Sequence, residues 1–255
     1  MERIQTPALV ARKVEYGEAD LILTLLTRER GRISALARSA RRSRRRFGGA
    51  LSLFVVGQAT LRPPVRGELF GLESFEGLED LGGPLAADVV KVAHGSYLLE
   101  LARELWPASQ AEPASFELLV QALRALAGGV ASPTLLRAFE LQILAAAGLA
   151  PSLDRCVRCG GPPSGSGGAV RVDIGAGGVI CARCEGGGWP LPGAAHALLL
   201  ELQRTPMQAA AALAPPAEVA RAMRDLNLLL LRHTLGKELR SLEVIAQLGV
   251  RTPRP

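Results

Sequence analysis

Several shortages narrow what this chain can be. No apolar stretch approaches the roughly 18–20 residues that a membrane-crossing helix needs, and the run around Ile143 to Ala150 is far too short. The start, Met1-Glu2-Arg3-Ile4-Gln5, lacks the apolar segment of a secretory signal, so a cytosolic protein is expected. Histidine and cysteine are scarce, at 3 and 4 residues, which leaves little raw material for nucleophilic catalysis. Ser34, Ser39 and Ser43 have no nearby His–Asp pattern. A GxxxxGK[ST] phosphate loop, an HExxH helix and a paired-carboxylate motif are all missing, so no enzymatic activity is expected. Aromatic residues make up only 4%, which limits any role that depends on stacking.

What is present is enough for a folded core. The 255 residues are 48% apolar, which is ordinary for a globular protein and argues against disorder. That length suits one or two domains with a small insert. The net charge of +6 is unevenly spread. Nine arginines and one acid, Glu29, fall between Arg28 and Arg46, so this window carries +8 and the rest of the chain −2. A GC-rich genome explains arginine in place of lysine, but not the placement of positive charge in one segment. A dense positive focus favours a polyanion, most simply nucleic acid. Arg32, Arg38, Arg41, Arg42, Arg44, Arg45 and Arg46 are the candidate DNA-binding residues.

The first 80 residues read as short strands. Ala8 to Val14, Leu21 to Thr27, Arg32 to Ala37, Leu51 to Leu61 and Leu69 to Phe75 alternate in polarity or are rich in β-branched and aromatic residues. Gly17, Gly31, Gly48-Gly49, Pro63-Pro64 and Gly67 punctuate them. Five such strands suggest an OB-fold barrel. Helical periodicity then takes over from residue 84 to 148, in three segments. The third opens on Ser132-Pro133, an N-cap followed by proline, and stops at Gly148. Its apolar residues cover more than one face, so it belongs in the middle of a bundle. Further helices are expected at Ala194 to Gln203 and Ala217 to Leu235. The fold class expected is therefore α+β: an OB-fold domain over 1–80, then an α-helical domain over 81–255 with a zinc-binding insert at about 154–188.

All four cysteines lie in that insert, as Cys156-x-x-Cys159 and Cys181-x-x-Cys184 with 21 residues between the pairs. Two facing CxxC turns supply the tetrahedral thiolate set that Zn²⁺ prefers. No cysteine is left over and no secretory signal precedes them, which argues against disulfides. An Fe–S cluster is the less favoured metal reading. Four thiolates close the coordination sphere, so the Zn²⁺ would be structural. Eleven of the 28 glycines fall between Gly160 and Gly188, so most of the tract should be loop around the metal. His196 follows Cys184 by 12 residues, but the Cys₄ set is already complete. Arg155, Arg158, Arg171 and Arg183 flank the ligands and read first as surface charge, with a second nucleic-acid contact as the other reading. His94 reads as a structural histidine, and His233 with Arg232 as charge at a helix C-terminus. Phe47 directly follows Arg44-Arg45-Arg46, and it either stacks on a base or anchors the basic segment.

Taken in order, these residues resemble the RecO family of bacterial DNA repair proteins, which are recombination mediators. The resemblance runs through Tyr16-Gly17-Glu18-Ala19-Asp20, Gly31-Arg32, Ala40-Arg41-Arg42 and Arg46-Phe47-Gly48-Gly49-Ala50-Leu51. It continues at Phe139-Glu140-Leu141, Leu153-Asp154-Arg155-Cys156-Val157-Arg158-Cys159-Gly160 and Leu235-Gly236-Lys237-Glu238-Leu239-Arg240-Ser241-Leu242. It implies an N-terminal OB-fold, a helical C-terminal domain and, in many members, a zinc site. It also implies single- and double-stranded DNA as ligands and annealing of complementary strands. The implied protein partners are RecR, the acidic C-terminal tail of the single-strand-binding protein SSB, and RecA indirectly, through its loading onto SSB-coated strands. A cytoplasmic, nucleoid-associated location follows from that. Arg45 departs from the family pattern, where a small polar residue is expected. Arg124 and Arg137 are the candidates for the SSB tail. The alternative reading is a zinc-ribbon transcription or RNA-binding regulator, which would prefer one sequence or RNA fold. A metallo-hydrolase using the histidines is a third, and would lose activity on chelation.

Overall fold

The computed structural model describes residues 3–47, 50–108, 110–163, 168–184 and 187–251, with side chains described at all of these except 44, 45 and 249–251. The chain divides into two compact units, residues 1–128 and 129–255. The first unit is built on a closed five-stranded barrel: β1 (Ile4–Tyr16), β2 (Asp20–Thr27), β3 (Gly31–Ala37), β4 (Val55–Arg62) and β5 (Leu69–Asp80). Around the barrel the order is β1-β2-β3-β5-β4, an OB-like arrangement.

Strand β1 serves two neighbours. Its first half, Ile4 to Leu9, pairs with β4, and its second half pairs with β2 as far as Tyr16↔Asp20. The register shifts at a bulge between Val10 and Arg12, which bends the strand from one partner to the other. The parallel pairing of Ser34–Leu36 with Leu69–Gly71 closes the barrel. Alternation on β2 and β3 sends Leu21, Leu23, Leu25, Ile33 and Ala35 inward, where they are buried. The β2–β3 turn needs Gly31. Its φ is +60°, and a Cβ there would collide with the Gln110 carbonyl oxygen.

Strand β4 starts at Val55, later than the sequence pattern from Leu51 suggests. Phe54 takes a φ of +68°, which breaks the strand, and its carbonyl accepts from Leu81 N–H. Leu51 is buried in the barrel core from outside the strand instead. A single helical turn, α1 (Arg44–Phe47), lies within the basic segment. Helices α2 (Gly82–Ala86), α3 (Val89–Leu105) and α4 (Pro113–Gly128) complete this unit.

The second unit centres on α5 (Pro133–Ala146). Ser132 caps it by accepting from Leu135 N–H, and Gly148 follows its end at φ +74°. Residues 134–141 of α5 are all buried, because α6 (Gly193–Leu202), α7 (Met207–Ala212) and α8 (Ala217–Leu235) pack around it. Arg137 and Glu140 are buried with them as a 2.6 Å ion pair, and Asn227 of α8 donates to Glu140 at 2.8 Å. Helix α9 (Arg240–Arg251) follows. Between α5 and α6 lies a three-stranded sheet of order β7-β6-β8, made by β6 (Val170–Asp173), β7 (Gly178–Ile180) and β8 (Trp189–Leu191). Most of this tract was expected as loop. Its strands form because Val170, Val172, Val179 and Leu191 supply a small buried face. No helix among the described residues is long and apolar enough to cross a membrane.

Candidate nucleic-acid interface and metal centre

The nine-arginine window splits in space. Arg28, Arg30 and Arg32 sit around the β2–β3 turn, while Arg38 and its followers leave the opposite end of β3. Five strand steps separate Arg32 from Ala37, about 17 Å at the usual rise. Arg28 is paired with Glu29 at 3.3 Å and Glu117 at 3.2 Å. Arg32 is half-buried, and its N–H donates to the Pro107 carbonyl. It therefore stands apart from the other predicted DNA-binding residues.

Residues 38–46 are fixed against the β1–β2 hairpin tip. Ser39 N–H donates to Asp20 Oδ1 at 2.7 Å, and Arg41 N–H donates to the Ala19 carbonyl at 3.1 Å. Ser39 adopts φ +53°, and its carbonyl accepts from Arg42 and Ser43, which turns the chain into α1. The arginines then fall into two groups. Arg46 is half-buried: it donates to the Arg38 carbonyl at 2.5 Å and to Ser43 Oγ at 3.1 Å, and lies 4.9 Å from the Phe47 ring centre. It acts as a staple within the segment. Arg38, Arg41 and Arg42 are exposed. Arg41 reaches Glu15 at 3.3 Å, and Arg42 stands 3.9 Å from Glu18, contacts that water screens strongly at such exposure. The side chains of Arg44 and Arg45 lie outside the described residues, as do Gly48 and Gly49 of the motif.

Phe47 is 2% exposed and packed in the barrel core. A ring so placed has no open face for a base. Its stacking role, one of two expected from sequence, is not available in this conformation, and its burial ties the segment to the barrel. Sequence reasoning also missed the counter-charges. Glu15, Glu18 and Asp20 oppose the six arginines of 38–46, so the local excess is about half of what the segment alone suggests. They belong to another strand pair, and only the register brings them here.

The four cysteines converge in the second unit. Their Sγ atoms all lie within 4.8 Å of one another, and Cys159 and Cys181 are 3.6 Å apart. A tetrahedron with Zn–S bonds of about 2.3 Å has edges of about 3.8 Å, so the donor set fits one such ion. Local turns bring each pair together. Cys156 N–H donates to the Gly161 carbonyl at 2.8 Å, and Cys184 N–H to the Cys181 carbonyl at 3.0 Å. The first turn is docked on β7 through Val157 N–H and the Val179 carbonyl, at 2.9 Å. The Cys181 backbone N–H pulls the Cys156 thiol down to about 6. The neighbouring thiols of Cys159 and Cys181 push Cys184 up to about 12. Four thiolates in this volume repel one another, and a divalent cation relieves that. His196 turns elsewhere, its Nε2 lying 2.7 Å from the Leu153 carbonyl.

Two of the flanking arginines brace the knuckle. Arg158 donates to the Cys184 carbonyl at 2.7 Å and to Asp173 at 2.9 Å, holding that carboxyl below its usual range. Arg171 donates to the Gly188 carbonyl. The two SSB-tail candidates are also engaged. Arg137 is buried on Glu140, and its Nη1 donates to the Arg224 carbonyl. A side chain so enclosed offers no docking surface. Arg124 is exposed, but grips Glu79 through two nitrogens, at 2.7 and 3.0 Å, which raises its pKa.

Comparison with known proteins agrees with this architecture. The family model for the Recombination protein O N terminal matches residues 1–80, and that for the Recombination protein O C terminal matches residues 86–243. The DNA repair protein RecO of Anaeromyxobacter sp. (strain K) is 44% identical over 254 residues, covering 98% of both chains. That of Myxococcus xanthus (strain DK1622) is 39% identical, over 98% of this chain and 100% of its own. That of Geobacter sulfurreducens is 37% identical over 193 residues, 75% of this chain and 76% of its own.

Proposed function

Because the chain belongs to the RecO family, we propose that it is a DNA-binding recombination mediator that works through binding energy, with no covalent step. Family membership supports a role in DNA repair and recombination. The observation that carries the finer reading is the exposed trio Arg38, Arg41 and Arg42 at one end of an OB-like barrel. Complementary strands repel along their phosphates. A protein that neutralises both lowers that barrier without hydrolysing anything. Contacts of this kind are tolerant of sequence and serve single and double strands alike.

In this reading the protein anneals complementary strands and, with RecR, helps RecA load onto SSB-coated single strands. Its interaction with SSB runs through the acidic tail, and it acts in the cytoplasm at the nucleoid. Zn²⁺ is held by Cys156, Cys159, Cys181 and Cys184 and is structural, because four thiolates leave no open coordination position. The buried face of β6–β8 is too small to hold the knuckle alone, and the ion supplies the rest.

The test is fluorescence annealing of SSB-coated complementary oligonucleotides, without nucleotide, over a salt series. Sequence-independent annealing that fades with salt is expected. The triple variant Arg38→Gln, Arg41→Gln, Arg42→Gln should lose it while staying folded. On single strands its binding slope in log salt should fall by about 2, at roughly 0.7 for each phosphate no longer neutralised. Unchanged affinity and slope in that variant would overturn the interface. Binding to one sequence only, without annealing, would favour the regulator reading.

A further inference from the structure

The barrel has committed one candidate stacking ring to its core and displays another. The chain has six phenylalanines, two tyrosines and two tryptophans. Of these rings, among the described residues, only Tyr16 and Trp189 are exposed, and Tyr16 alone belongs to the first unit, at 57% exposure. It is the last paired residue of β1, opposite Asp20 across the hairpin tip. Asp20 and Ala19 are also the residues that receive the Ser39 and Arg41 N–H groups. Tyr16 and the arginine segment therefore share one end of the barrel. The register Leu21↔Ala37, continued by one step, sets Arg38 beside Asp20 and one strand away from Tyr16.

The surface leading to Tyr16 is also unusual for a solvated sheet. Val14 pairs with Ile22, and Ile22 pairs with Leu36, so these three make one outward cross-strand row. Val14 is 41% exposed, and Ile22 and Leu36 are half-buried. The next row holds Arg12, Thr24 and Ser34. An exposed aromatic ring and nearby cations are the components that bind an unpaired strand: rings stack on bases and cations follow the phosphates.

We propose that Tyr16 is a base-stacking platform, and that it makes this end of the barrel prefer unpaired nucleotides over duplex. The inference rests on the DNA-binding reading above and assigns it a strand selectivity that the arginines cannot supply. Phosphates occur in both forms of DNA. A base face is available only where the base is unpaired.

The test compares three probes on the full-length protein: a dT oligonucleotide, an oligomer of equal length with abasic sites throughout, and a duplex. Anisotropy should show the wild type binding the dT strand about tenfold tighter than the abasic strand, the usual scale of one stacked base. Tyr16→Ala should erase that difference, leaving duplex affinity and the salt slope unchanged. Tyr16→Phe, which keeps the ring, should behave as wild type. A Tyr16→Ala variant that retains the preference overturns the proposal, as does one that weakens all three probes equally. If the arginine variant loses binding while Tyr16→Ala does not, the stacking role falls and the DNA-binding reading stands. If the wild type binds none of the probes, both fall.

Discussion

The arginine segment and the cysteine knuckle are both short, polar stretches that no large core could hold, and they are held in opposite ways. Residues 38–46 borrow order from the barrel. Phe47 is sunk in its core, Ser39 and Arg41 bond to the β1–β2 tip, and Arg46 staples the turn. The knuckle gathers order around its own four thiols, with a three-stranded sheet of small buried area beneath them. One region leaves Arg38, Arg41 and Arg42 exposed at its surface. The other commits Arg158 and Arg171 to its own backbone carbonyls. Positive charge is left facing solvent in the first case and spent as a brace in the second.

Metal removal should separate the two regions most sharply. Apparent binding energies of structural zinc are on the order of 10 kcal/mol. Chelation, or Cys156→Ser with Cys181→Ser, should therefore unfold the knuckle while the barrel keeps its amide protection. Hydrogen exchange over residues 152–191 against residues 4–37 reads this directly, and equal loss in both would show that the knuckle is not a separate metal-dependent element.

The next effects are those of buried side chains. Phe47→Ala should cost about 3–5 kcal/mol in the barrel, since it empties a core site. Arg137→Ala should cost a similar amount in the helical unit, because it strands the Glu140 carboxylate in a dry interior. Denaturant melts measure both. DNA affinity should fall in the Phe47 variant, whose basic segment loses its anchor, and hold in the Arg137 variant.

Within the segment itself the expected effects are smaller and differ in kind. Arg46→Ala should destabilise the barrel by about 1–2 kcal/mol through the hydrogen bonds it removes. Arg42→Ala should leave stability within about 0.5 kcal/mol and lower the single-strand salt slope by about 0.7. Reversal of the two would mean that the division into staple and DNA-facing cation is misassigned.

The smallest effect concerns Asp173. Arg158 depresses its folded-state pKa, so the stabilisation is fully present above the unfolded carboxylate value of about 4 and is lost as pH falls through the folded value. Asp173→Asn should remove at most about 1 kcal/mol at pH 7, and the wild type and variant should converge in acid. A constant gap down to pH 2 would rule out the ion pair as its source.

Much of the molecule could be read before folding was considered, for reasons of locality. Alternation marks a half-buried strand, and Ser132-Pro133 marks a helix start. Two CxxC turns mark a cluster of four thiols that could hold a metal ion, because each pair is brought together by its own turn. The arginine run was equally visible, but its division was not. A strand carries Arg32 and Arg38 to opposite ends, and the β1–β2 hairpin brings Glu15, Glu18 and Asp20 against the segment. Phe47 and Tyr16 show the same limit: composition names both rings, and strand register with burial decides which one faces water. Periodicity, capping and chelate spacing depend on neighbours in the chain, so sequence alone settles them. Exposure, counter-charge and the choice of free cation depend on neighbours in space, and only the closed barrel and packed helices settle those.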